Sequence, residues 1–374
     1  MTSHSGLAGL QEYCLSHGLP FVSYRFPNEK SAVTLISNSV IREYSDAYSS
    51  KSGFLLAPFL KDRPKLWLAA DQVFYGEDVS SFKLSEIEPE VFKQFKTSND
   101  DILPKPVTKN EYLDKIKLLL NSIKSGKVNK VVLSRPLLIE FNRLKESTLL
   151  FQKLINSLPS AFVCLLSLPG AGTWLGASPE LLLKVTHQEG ESFDRIETMA
   201  LAGTRKTGSH GEWGSKEIDE QKWVSKYISE KLHQSGAIQT EQGNPYTAKA
   251  GNVEHLRTDF KALISEGQSL EIASILHPTP AICGWPEKEA LNLITNLEKY
   301  NRSYYSGYLG PVGLNHQTQL FVNLRCMKIA DNEASLFVGG GITAGSVPEQ
   351  EWEETLIKSR TLLAEIEKIR NLAS

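Results

Sequence analysis

The 374 residues hold 41 lysines plus arginines against 43 aspartates plus glutamates, a formal net charge of −2, with 41% hydrophobic and 22% charged positions. That composition fits a water-soluble globular chain able to bury a sizeable core, as one large domain or two ordinary ones, and its near-neutral balance gives no bulk pull toward nucleic acid or an anionic membrane. Cys14, Cys164, Cys283 and Cys326 are far apart and form no CxxC, and no basic-then-apolar start or run of ~18 apolar residues is present, so free buried thiols and a cytoplasmic location are expected.

Residues 1 to about 100 read as a helix near 6 to 17 and then the short strands FVSYRF, AVTLIS, GFLLAPF and KLWLAA, without a chemical signature. The polar stretch KTSNDDILPKP, 96 to 106, is a surface connection. Thr108 with Glu111 forms a capping box, which predicts an amphipathic helix to about Ser125. In the β-rich KVVLSRPLLIEF that follows, alternation puts Lys130, Val132 and Ser134 on one face and Val131, Leu133 and Arg135 on the other. A lysine sharing a face with valine is an edge-strand gatekeeper, a snorkelling surface residue or a functional group. Further strands are AFVCLLSL and TWLGAS. Glu180, at the turn into LLLKVT, is by itself an exposed acid. A strand ending in LAGTRKTG offers a close-approach backbone at Gly203 and a hydroxyl at Thr204.

Gly211 to His233 reads as a mixed-charge helix containing Glu220, whose acids a solvated face explains. Residues 236 to 250 read as a polar linker, followed by helices to about 300 that are interrupted by LHPTPAICGWP, where His277 is a core or capping histidine. Three antiparallel strands are then expected: YYSGYLGPVG, TQLFVNLRCMKI and ASLFVGG. In the second, Phe321, Asn323, Arg325 and Met327 share a face, so Arg325 needs an anion partner if that face is buried and none at an edge.

The chain closes on GGGITAGSVPEQEWEETLIKSR, Gly339 to Arg360, read as a glycine-rich turn entering a helix and as an anion and metal site. Ser346 with Glu349 makes a capping box, and Pro348 suits a first turn, placing a helix start near 346. Glu351, Glu354 and Lys358 then stand at i, i+3 and i+7 on one stripe, although Glu354 and Lys358 also match an ordinary surface pair. Gly339, Gly340 and Gly341 let the backbone approach a ligand. Strands and helices without regular βαβ alternation argue for an α+β fold with large antiparallel sheets. No GxGxxG, Walker A, HExxH or GxSxG string supports a nucleotide, zinc or serine-hydrolase reading.

Taken together, KVVLSR, GASPELLL, LAGT, HPTPA, YYSGYLGPVG, FVNLRC and GSVPEQEWEETLIKSR resemble the chorismate-utilising enzymes, in that order and over residues 108 to 370. The likeness is greatest to isochorismate synthases of the menaquinone and siderophore pathways. It implies the chorismate-binding, anthranilate synthase component I-like fold, with antiparallel sheets at the centre, helices outside and a cleft for the substrate chorismate. One domain over 1–374 is expected, in which 1–105 is a variable part and 106–374 bears the motifs.

By this resemblance Lys130 matches the general base that activates water for attack at C2, and Glu180 the general acid that protonates the departing C4 hydroxyl. Glu220 and Glu354 match Mg²⁺ ligands, with Glu351 reaching the metal through water. Tyr305, Arg325 and the backbone at Gly340 and Gly341 match positions that hold the enolpyruvyl carboxylate. Lys358, Gly203, Thr204 and His277 match others lining the substrate pocket. Family members often carry Glu-His where this chain has Glu220 and Gln221. Lys130 argues against anthranilate synthases, which usually have glutamine there. Ala202 argues against the aminodeoxychorismate type, which commonly has a lysine there. Salicylate synthase is a further relative, for which HPTPA is the softer discriminator. The expected protein is a monomer that needs no glutaminase subunit and binds neither nucleic acid nor membrane.

Overall fold

Local sequence signals account for several elements directly. Thr108 caps α3 (Lys109–Lys124) as its capping box requires: its hydroxyl accepts from Glu111 N at 3.4 Å, and the Glu111 carboxylate accepts from Thr108 N at 2.8 Å. The computed structural model describes residues 6–48, 51–94, 102–187, 190–209, 211–250 and 253–373. Among them no helix is long and apolar enough to cross a membrane, and the four cysteines are buried and unbridged as expected.

Two antiparallel sheets form the centre, with strands numbered along the chain. One runs β15 (Gly284–Trp285), β7 (Lys130–Glu140), β19 (Glu333–Ile342), β18 (Cys326–Ile329), β9 (Gly172–Ser178), β8 (Phe162–Leu168), β1 (Phe21–Arg25), β2 (Val33–Ile36) and β6 (Gln72–Tyr75). The other runs β12 (Ile238–Gln242), β14 (Val253–Ser265), β11 (Phe193–Lys206), β10 (Leu181–Thr186), β17 (Gln317–Val322), β16 (Tyr308–Val312), β4 (Gly53–Ala57), β5 (Leu66–Ala69) and β3 (Arg42–Glu43), with β13 (Tyr246–Ala250) also on β14. Strands from the first hundred residues stand in both sheets.

Period-two alternation decides what each strand face meets. In β8, Phe162, Cys164 and Leu166 join Tyr24, Phe54 and Phe321 in a core shared by both sheets, where the Phe162 and Phe321 rings stack at 4.1 Å. Val163 and Leu165 face the opposite way, onto α1 (Gly6–His17), α4 (Arg143–Ser157) and α8 (Pro348–Ala373). The far face of the second sheet is covered by α5 (Ser215–Gln234) and α6 (Ser269–Leu276). Buried on both faces, these strands read as nearly continuous apolar runs.

Four expectations are corrected here. Residues 238–242 and 246–250 are strands on β14 rather than parts of a linker; β12 is exposed throughout, so no buried face patterned its sequence and ladder hydrogen bonds hold it. Val253–Ser265 is a strand rather than a helix, paired with β11 along nearly its whole length. TQLFVNLRCMKI is two strands in different sheets, because the chain crosses between sheets at 323–325, with Arg325 at φ 47°. Gly339, Gly340 and Gly341 lie within β19, opposite Ser134, Leu133 and Val132, and are not a turn. The helix after them starts at Pro348, and Ser346 Oγ accepts from Thr343 N at 3.0 Å.

Behind β7 sits a buried ion pair that ties it to α7 (Glu287–Glu298). Glu298 Oε1 accepts from Ser134 N at 2.7 Å and from Arg302 Nη2 at 2.6 Å, while Arg302 donates to the carbonyls of Val132 and Ile282. Replacing Glu298 by alanine strands a buried guanidinium, and chemical denaturation should show a loss of about 3–5 kcal/mol. An unchanged midpoint would show that the pair is dispensable.

Candidate active site

β7 is an interior strand, so its lysine is no edge gatekeeper. Lys130 and Val132 face a cleft while Val131 and Leu133 point into the core against α3 and α7, as alternation requires. The cleft is lined by residues the sequence had scattered over more than 200 positions. Lys130, Glu180, Gly203, Thr204, Glu220, Tyr305, Arg325, Gly340, Gly341, Glu354 and Lys358 all contribute to it. Lys130 is 2% exposed, with Nζ 3.4 Å from Glu220 Oε2.

Glu180, between β9 and β10, is 4% exposed rather than solvated. Burial pushes its carboxyl up to about 8, against the opposing pull of Lys130 and Lys358. It is therefore mostly protonated at neutral pH, as a proton donor must be. On Gly341 a Cβ would lie 2.8 Å from Lys130 Cε and 3.4 Å from Glu220 Oε2, so only glycine lets that amine and carboxylate meet beside the strand.

The anion-binding side is built on Arg325. Burial brings its guanidinium down to about 10, so it remains charged, yet among the described residues it forms no ion pair. Nη1 donates to Thr361 Oγ1 at 3.1 Å, and Nη2 meets His255 Nε2 at 3.4 Å. His255 Nδ1 lies 2.7 Å from Gly203 O, which only accepts, so Nδ1 carries the proton and Nε2 accepts from Arg325. Burial and Arg325 hold that imidazole down to about 3, keeping it neutral. A desolvated, unpaired arginine is suited to a ligand carboxylate. Tyr305 lies beside it, stacked on Phe337 at 5.1 Å.

The expected metal ligands surround the end of β19. A Cβ on Gly340 would lie 3.2 Å from Glu351 Oε2 and 3.6 Å from Glu354 Oε1. Each carboxylate has a lysine: Glu220 has Lys130, Glu354 has Lys358 at 2.6 Å, and Glu351 has Lys216 at 2.6 Å. Burial and then Glu354 raise the Glu351 carboxyl. Glu351 Oε2 is buried without a hydrogen-bond partner. Among the described residues no three His, Cys, Asp or Glu side chains converge closely enough to hold a metal ion by themselves. All-oxygen donors with an orphaned carboxylate oxygen nevertheless fit Mg²⁺, which takes one or two protein carboxylates and fills its shell with water and substrate.

His277 is not brought into the cleft. It is buried and caps α6, its Nε2 bonding Phe59 O at 3.0 Å and its ring packing on Tyr308, so the core and the capping readings are both met; its loop instead supplies Ala281 and Ile282 to the wall. Gln221 donates to Ala200 O and Thr258 Oγ1, tying α5 to β11 and β14. Sequence reasoning missed Lys216 and His255. Lys216 stands four residues before Glu220, a spacing that already put both on one helix face. His255 lay in a stretch read as helix, which gave it no face.

A family model described as "Chorismate binding enzyme" matches residues 77–367. The chain belongs to the chorismate binding enzymes. It is 32% identical over 247 residues to isochorismate synthase EntC of Escherichia coli (strain K12), a match covering 63% of this chain and 62% of that protein. Against isochorismate synthase MenF of Bacillus subtilis (strain 168) it is 28% identical over 267 residues, 68% of this chain and 55% of that one. The match thus spans less than two thirds of these relatives. Among solved structures it is similar to MenF, the menaquinone-specific isochorismate synthase from Escherichia coli, with a TM-score of 0.74 at 22% identity, covering 95% of this chain and 91% of that one. Anthranilate synthase component I from Streptococcus pneumoniae gives 0.61 at 16%, covering 92% and 90%. These likenesses carry the α+β fold of the chorismate binding enzymes.

The raised Glu180 carboxyl has a stability signature. Between the ordinary value of 4.5 and about 8 the folded chorismate binding enzyme holds a proton that the unfolded chain has lost. Stability from this group is therefore fully present below pH 4.5 and is lost as pH rises through about 8. Urea denaturation of wild type and Glu180→Gln across this range should show wild type losing ground to the variant as pH rises. A difference that stays flat with pH would refute the assignment.

Proposed function

We propose that this chain is an isochorismate synthase, converting chorismate to isochorismate by adding water at C2 with loss of the C4 hydroxyl. The observation that carries this reading is the opposition, in one cleft, of a buried amine and a buried, predominantly protonated carboxyl, Lys130 and Glu180. They need opposite protonation states to work. Lys130 takes the proton of the attacking water, and Glu180 gives its own to the departing oxygen. Afterwards lysine is charged and glutamate is ionised, so the two are also set for the reverse reaction. Arg325, with Tyr305 beside it and neutral His255 behind it, binds the enolpyruvyl carboxylate. Lys358 and the backbone from Gly339 to Gly341 line the pocket further along.

Glu220 and Glu354, with Glu351 through water, are the residues that would hold Mg²⁺, whose charge would offset the substrate's ring carboxylate. Lys130 where aminating relatives carry glutamine, and Ala202 where others carry lysine, favour water over ammonia or a covalent amine. The reading includes a cytoplasmic protein acting without a glutaminase subunit, its product serving menaquinone or siderophore synthesis.

Purified protein incubated with chorismate and Mg²⁺ should yield an equilibrium mixture with isochorismate from either side. Coupling to lactate dehydrogenase should detect little pyruvate, and pyruvate formed in step with chorismate loss would point to salicylate synthase. An ammonium-dependent aromatic amine would point to the aminating branch.

Lys130→Ala should retain the fold and lose about 10²- to 10⁴-fold in turnover, the usual worth of a general base. Wild-type turnover in that variant would sink the assignment.

A further inference from the structure

Lys216 is a cation placed where helix electrostatics disfavour one. It stands in the first turn of α5, the end at which peptide dipoles present positive partial charge. Its ammonium is nonetheless turned inward, with Nζ 2.6 Å from Glu351 Oε1, and the charges of Glu220 and Glu354 act on it as well. Glu351 is 2% exposed, and its other oxygen, Oε2, has no partner and faces Gly340 near Glu354.

Each of the three carboxylates thus has a lysine beside it, and a cluster so occupied attracts a divalent cation less strongly until one of the lysines leaves. Lys130 cannot readily go, being 2% exposed and walled in. Lys358 is tied to Gly339 O at 2.8 Å as well as to Glu354. Lys216 is 26% exposed, the most of the three, and among the described residues its ammonium hydrogen-bonds only to Glu351. It alone combines a single tie with an open path to solvent.

Resting on the metal reading above, we propose that Lys216 is the built-in counter-cation of the carboxylate cluster: its ammonium holds Glu351 in the metal-free protein, and a divalent cation binds by displacing it toward solvent. Glu351 is thereby held in place by a contact of 2.6 Å. The cost is affinity, since only the fraction of molecules with the lysine swung out is competent to bind.

The test is a Mn²⁺ titration followed by electron paramagnetic resonance, comparing wild type, Lys216→Met and Lys222→Met. Lys222 is an exposed control on the same helix, paired with Asp219. If the displaced state is populated at about 10% or less, Lys216→Met should bind Mn²⁺ about tenfold or more tightly than wild type while Lys222→Met stays unchanged. Equal or weaker binding by Lys216→Met overturns the proposal and leaves the metal reading standing. Failure of all three proteins to bind Mn²⁺ overturns both. A structure of the wild-type protein with Mn²⁺ gives a check that needs no variant: Lys216 Nζ should lie beyond ion-pair distance of Glu351, and its retention at Glu351 would refute displacement.

Discussion

The antiparallel pairing of β7 with β19 is the constraint on which the candidate site depends. Its register sets Gly341 opposite Val132 and Gly340 opposite Leu133, which brings the lysine at the start of one strand against the glycines at the end of the other. A side chain at Gly341 would occupy the space where Lys130 and Glu220 meet. A slip of one residue would turn Lys130 into the core. That register is held from behind by Glu298 and Arg302, whose bonds to Ser134 and Val132 fix the first half of β7. A buried ion pair is a poor source of net stability, but it specifies position, because each of its hydrogen bonds is satisfied in only one arrangement.

Electrostatics in the cleft follow from which carboxylates have cations in contact. Burial opposes ionisation of Glu354, but Lys358 outweighs it and holds that carboxyl below the usual range. Glu180 feels Lys130 and Lys358 only at longer range, and burial prevails. The same fold thus carries ionised acids suited to binding a cation and a neutral acid suited to donating a proton. Between Glu354 and Glu180 the difference is contact with a lysine, not residue type, whereas Glu351 is raised by burial and by Glu354 although Lys216 touches it.

Much of this was legible in the sequence because short motifs fix both chemistry and local structure. The capping box at Thr108, the alternation in KVVLSR and the spacing of Glu351, Glu354 and Lys358 each survive in three dimensions. The failures share a physical origin. β12 pairs through backbone hydrogen bonds with its side chains in solvent, so no hydrophobic period marks it. Gly339 to Gly341 read as a turn because glycine usually relieves backbone strain, whereas here its missing side chain makes room for neighbours within a strand. His277 sat in a motif that resembled a substrate wall. The motif does reach the wall, but through Ala281 and Ile282.

Arg325 shows why a site residue can be named from sequence while its surroundings are not. Read as one strand, its stretch put Phe321 and Met327 on its own face and required an anion partner if that face is buried and none at an edge. In the fold those neighbours belong to different sheets, and Arg325 occupies the crossover with a left-handed backbone. The crossover turns the guanidinium away from strand neighbours and toward the cleft, where a neutral imidazole and a threonine hydroxyl orient it without neutralising it. A carboxylate in place of His255 would satisfy the arginine and remove its attraction for an anionic ligand. The neutral acceptor, fixed as one tautomer by Gly203 O, leaves the charge of Arg325 available. The sequence left open whether Arg325 needs an anion. In the fold it is half-buried and, among the described residues, without an ion pair, and under the proposed function a ligand carboxylate is the group that would meet it.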